Sequence, residues 1–99
     1  MANGLPFAVV WARPALNTVG ILLAQLRATG RVEELLRLVR IINQRLTDQP
    51  LDFGEVYRTR GAVHEQLAIC DSLSVDFAVD TERQVVLVRH CQAMSGFGR

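Results

Sequence analysis

Two imidazoles and a set of arginines are the residues of this chain best suited to chemistry. An imidazole is a side chain that can take up or release a proton in the physiological range, which makes His64 and His90 candidates for proton transfer. Arg58, Arg60 and Arg89 bring permanent guanidinium charge in a planar fork that matches phosphate or carboxylate. Arg58 and Arg60 lie two residues apart and would point the same way in an extended segment. One use of such a set is proton transfer beside a stabilised phosphate charge, with His64 as base, His90 as acid and the arginines as the clamp. The competing reading is more ordinary. The histidines are then polar residues on a solvated sheet face, and Arg58 and Arg60 are ion-pair partners for Glu55 or Glu65.

Other chemistries find less support. Asp76 and Asp80 would share one face of an extended segment, but no histidine or cysteine accompanies them at ligand spacing, so no metal site is expected. Cys70 and Cys91 stand far apart in the chain with no CxxC spacing, which predicts two free structural thiols. No cofactor-binding pattern is present in the sequence, and no cofactor is expected.

The bulk composition sets the frame around these groups. The chain has 99 residues, 49% of them hydrophobic and 21% charged, enough apolar material for one domain with its own core. All 11 basic residues are arginine, and 10 acids nearly cancel them, leaving a net charge of +1. A dedicated nucleic-acid binder usually shows a clear positive excess, so global charge gives that class no support. Apolar runs such as Val19–Ala24 are far short of the roughly 20 residues a membrane span needs. No basic region followed by an apolar run opens the chain, so a cytoplasmic protein is expected.

The elements that must position the candidate groups follow from periodicity. Phe7–Trp11 is a β-prone run, and Pro14 suits the first turn of a helix over Pro14–Ala28. Leu16, Val19, Leu23 and Leu26 form its expected core stripe, and Gly30 is placed to end it in a left-handed cap. Arg31–Thr47 is a cleaner amphipathic helix, with Val32, Leu35, Leu36, Val39, Ile42 and Leu46 on one face. After Pro50 the period changes from helical to alternating. Strands are predicted at Ala62–Ile69, Ser74–Val79 and Gln84–His90. In the first of these Val63, Leu67 and Ile69 alternate with His64, Gln66 and Ala68. Short connections favour an antiparallel meander, which the helical hairpin would cover on one face. Residues 1–6 and 93–99 read as loose ends of a single domain spanning 1–99.

This α+β order, strand, helical hairpin and meander, resembles the RelE/ParE superfamily of type II toxin–antitoxin systems. The likeness rests on Phe7–Ala15 as a first strand running into a helix, and on the second helix ending at Pro50 ahead of Gly54-Glu55. It rests further on Leu73–Asp80 and Val85–His90 as the last two strands. These pieces cover about nine-tenths of the chain, counted by elements. The resemblance implies helices on one sheet face and a concave groove on the other. It also implies an antitoxin protein as partner, and a cellular target that is ribosome-bound mRNA in some members and DNA gyrase in others. Ribonuclease members work without metal, which here would assign His64, His90 and Arg89 to catalysis and Arg58 and Arg60 to RNA phosphates. Those members place an arginine where this chain has Ser74, lysines where it has Glu65 and Leu67, and a Tyr or His–Tyr pair after the last strand, where it has only His90-Cys91-Gln92-Ala93-Met94. The resulting expectation is the toxin component of such a pair, with divergent or lost mRNA cleavage. The alternative is a non-catalytic interaction module or homodimer on the same scaffold.

Overall fold

Helical and strand periodicities in this chain converge on one core. A computed structural model describes residues 5–94. It contains β1 (Ala8–Trp11), α1 (Arg13–Arg27), α2 (Val32–Asp48), a short 3-10 turn (Pro50–Asp52), β2 (Glu55–Arg60), β3 (Val63–Cys70), β4 (Leu73–Asp80) and β5 (Val85–Ala93). The strands form one sheet in the order β1-β5-β4-β3-β2, and β2 to β5 make an antiparallel meander. The α+β architecture expected from the sequence is present, with two additions. β1 joins the far edge parallel to β5, making the sheet mixed. Glu55–Arg60 adds a strand that periodicity did not reveal, because every residue of this edge strand is exposed and no apolar alternation marks it.

β4 fixes the core face. Leu73, Val75, Phe77 and Val79 are all fully buried beneath the helices. α1 contributes Ala15, Leu22 and Leu26, and α2 contributes Leu35, Leu38, Ile42 and Leu46. The α1 stripe is therefore rotated from the expected one: Leu16 and Ile21 are more than half exposed, while Leu22 is buried. Pro14 occupies the first turn of α1. At its other end Gly30 takes a positive φ of 72°, and the Arg31 N–H donates to the Leu26 carbonyl at 3.1 Å, closing the helix as predicted. Trp11 Nε1 donates to Asn43 Oδ1 (2.9 Å) and the Phe7 N–H to the Thr47 carbonyl (2.9 Å), tying β1 to α2.

The alternation in β3 is present, but its faces are reversed from the simplest reading. Asp71-Ser72 is a two-residue turn, so β3 and β4 pair Cys70 with Leu73, Ala68 with Val75, Gln66 with Phe77 and His64 with Val79. Cross-strand partners share a face, so His64, Gln66 and Ala68 lie on the core side. Leu67 and Ile69 lie outside, 48% and 61% exposed. Burying Gln66 is tolerable because its Nε2 donates to the carbonyls of Pro50 (3.1 Å) and Phe53 (3.0 Å). That amide fastens the 3-10 turn to the sheet, and Phe53 stacks on Phe77 with ring centroids 5.9 Å apart.

β5 runs on to Ala93, and the Met94 N–H donates to the Ser72 carbonyl at 2.7 Å, so the sheet continues past the expected end at His90. Residues 1–4 and 95–99, assigned to loose ends from the sequence, lie outside the described residues. β3 and β5 flank β4, which separates the free thiols of Cys70 and Cys91 by two strand spacings, about 10 Å. Burial pushes both thiols up from their ordinary range, which disfavours thiolate chemistry.

Candidate functional site

The open face of the sheet, opposite the helices, carries a charged cluster assembled from four strands. Glu65 on β3 is its centre, with only 5% of its side chain exposed. Arg60 Nη2 and Arg58 Nε approach its Oε2 at 3.0 and 3.6 Å from β2. Arg89 Nη2 donates to its Oε1 at 3.0 Å from β5, and also to Asp76 Oδ1 on β4 at 3.0 Å. Tyr57 completes the ring. Its hydroxyl donates to Asp76 Oδ1 (2.8 Å) and accepts from Arg89 Nη2 (2.6 Å).

Two irregularities in the sheet bring these groups together. The register of β2 against β3 shifts at Tyr57, and that of β5 against β4 shifts at Arg89. Each is an extra residue in its strand, and a β-bulge re-aims the side chain it carries. The two bulged residues are the two that meet.

In charge the cluster is close to balanced. Three guanidinium groups face two carboxylates. The hydrogen bond from Arg89, together with the charges of Arg58 and Arg60, holds the Glu65 carboxyl below the usual range despite its burial. Burial acts against the charge on Arg89, but hydrogen bonds to Asp76 and Glu65 together outweigh it and raise the guanidinium. Burial and the bond to Asp76 raise the Tyr57 phenol, so Tyr57 stays protonated at neutral pH.

The predicted residues divide between the two faces. Arg58, Arg60 and Arg89 come together on the open face. His90 stands in cross-strand register with Asp76 there, beside a hollow of about 230 Å³ lined also by Leu67, Ser74 and Gln92. His64 departs from the expected shared face. It lies on the core side, paired with Thr59 and Val79, with Thr59 Oγ1 3.3 Å from its Nδ1. Its ring and that of His90 are on opposite sides of the sheet, so the two imidazoles do not form an acid–base pair across one substrate. Glu65 is the ion-pair partner of Arg58 and Arg60 that the more ordinary sequence reading allowed, whereas Tyr57 and Asp76 belong to the cluster although sequence reasoning gave neither a place in it.

Apolar surface surrounds the charges. A groove of about 500 Å³ runs along β2 and β3 between Gly54, Glu55, Val56, Tyr57, Leu67 and Ile69. A second hollow of about 240 Å³ lies at the other end of the face, beside Val63, Ala78, Val85 and Leu87. Among the described residues no group of His, Cys, Asp and Glu is arranged to hold a metal ion, and no helix is long and apolar enough to cross a membrane.

No family model matches the chain, and no curated protein sequence matches it significantly. Solved structures do. A chain of the toxin–antitoxin complex RelBE2 from Mycobacterium tuberculosis superposes with a TM-score of 0.67, covering 92% of this chain and 94% of that one at 16% identity. A chain of the archaeal RelE-RelB complex from Pyrococcus horikoshii superposes with a TM-score of 0.54, covering 91% and 97% at 13% identity. The chain thus has a RelE-like fold, as its element order led us to expect. At these identities the likeness is one of fold.

Proposed function

We propose that this protein is the toxin-fold member of a type II toxin–antitoxin pair, that its principal partner is an antitoxin protein, and that mRNA cleavage is divergent or lost. One observation carries the reading: the arginines that would stabilise a phosphorane are already engaged by Glu65 and Asp76. Such catalysis usually depends most on cationic stabilisation of the transition state, and each misplaced donor costs roughly a hundredfold or more. The separation of His64 from His90 removes a further contribution of similar size. Exposed Leu67, Ile69 and Leu87 beside the cluster suit a protein ligand better than a polyanion. The same apolar surface supports the second reading, a non-catalytic module that pairs with another protein or with itself.

The test is co-expression with any short open reading frame adjacent to its gene, followed by affinity capture, growth measurement and a cleavage assay on translating ribosomes. Capture of the small neighbour as a stable complex is expected, with message cleavage no faster than in a protein-free control. Codon-specific cleavage abolished by Arg89→Ala or His90→Ala would restore an active ribonuclease. A stable homodimer that ignores the neighbour would favour the second reading, and retention of DNA gyrase would move the target there.

A further inference from the structure

We propose that Arg58, Arg60 and Arg89 form a latent site for a phosphate group, and that Glu65 occupies this site in cis. The inference deepens the functional reading above and rests on it. Three guanidinium groups from β2 and β5 converge on one carboxylate that is nearly out of solvent. The fit is poor in ways that point to a different anion. Arg60 lies 3.0 Å from Glu65 Oε2, yet that oxygen receives no aligned hydrogen bond. Arg89 Nη2 is shared by Tyr57, Glu65 and Asp76, while its Nε is buried with no acceptor.

Each guanidinium offers five N–H donors, and a carboxylate presents only two coplanar oxygens. A phosphate presents its oxygens in a tetrahedron and carries more charge, so it can take donors arriving from both sides of the cluster. Glu65 reaches the centre of the three arginines from β3, between the strands that carry them. It pairs with all three without leaving the fold, and an incoming phosphate would have to displace it. On this account the parent protein should attract polyanions weakly because the site is occupied, not because it lacks one.

The test compares the parent with Glu65→Ala, titrating each with inorganic pyrophosphate and with a short single-stranded RNA. Glu65→Ala is expected to bind both at least about tenfold more tightly, the worth of one charge-assisted hydrogen bond. The slope of log K against log salt for RNA should steepen by about 0.7, one added phosphate contact on a single strand. Equal affinity in parent and variant would overturn the proposal. Arg60→Gln supplies a fold-safe second arm, since that side chain is 66% exposed on an edge strand. In the parent, where Glu65 already neutralises Arg60, this replacement should weaken pyrophosphate binding by less than about twofold. A loss of tenfold or more in the parent would show an open clamp and sink the idea, even if Glu65→Ala does not fold. These outcomes are independent of antitoxin capture and of message cleavage, so failure here is distinguishable from failure of the functional reading.

Discussion

Gly54→Ala is expected to lower the melting temperature of the domain by about 8–40 °C, given the usual 4–8 °C per kcal/mol for a domain of this size. Gly54 has a φ of +81°, and a Cβ built there would sit 2.3 Å from the Leu67 carbonyl oxygen, 2.6 Å from Ala68 Cβ and 2.7 Å from Ala68 Cα. An alanine in left-handed backbone costs about 1–2 kcal/mol. Relieving contacts with atoms of a central strand costs about 1–3 kcal/mol more. Neither can be escaped locally. The chain at Gly54 is held on one side by the bonds of Gln66 to Pro50 and Phe53, and on the other by the pairing of Glu55 with Leu67. The same substitution at Gly20 should have the opposite sign. A Cβ there meets nothing within 4 Å, and the position is inside α1, so Gly20→Ala should stabilise by about 0.5–1 kcal/mol. Thermal melts of the two variants beside the parent test both signs together.

Arg89→Ala should cost about 1.5–3 kcal/mol in urea unfolding, because it strips the one aligned charge-assisted hydrogen bond from Glu65. Arg58→Ala should cost less than about 1 kcal/mol, since its partner geometry is loose at 3.6 Å and its side chain is 57% exposed. The pH dependence adds a signature. Glu65 is more acidic in the native protein than an ordinary glutamate, chiefly through its hydrogen bond from Arg89. A depressed native pKa contributes stability that is complete above the unfolded value and is lost as pH falls through the native one. The difference between parent and Arg89→Ala should therefore be full above about pH 5 and shrink on further acidification, as the unfolded-state carboxyl titrates near 4.3. A difference that grows in acid would mean that Arg89 does not stabilise ionised Glu65.

What was legible in the sequence depended on whether burial left a pattern. β4 was readable because Leu73, Val75, Phe77 and Val79 alternate without exception and all are buried. α2 was readable for the same reason, apart from Leu38. β2 was not, since an edge strand with six exposed residues has no burial to imprint a period. The face of His64 is set by its register with β4. Given the β4 pattern and a two-residue turn at Asp71-Ser72, the pairing of His64 with Val79 follows, and with it the core-side placement. The convergence of Arg58 and Arg60 was legible from their spacing. The meeting of Tyr57 with Arg89 was not, because it depends on two bulges that shift the register without a distinctive residue to announce them.

The parallel pairing of β1 with β5 has a consequence for the order of assembly. The second strand needed to hold β1 is the last one in the sheet to be synthesised, and α1 packs over that same strand. The β2-to-β5 meander can zip through short turns, each closing a small loop. β1 and α1 can only dock once β5 is in place, which closes most of the chain into one loop and is the entropically expensive contact of the fold. Until then Val9, Trp11 and the apolar face of α1 lack their covering strand. Single-exponential refolding should therefore report docking of the first strand rather than formation of the hairpins. A chain interrupted before Val85 should keep its N-terminal elements exposed, which makes it a target for chaperones or proteases during synthesis.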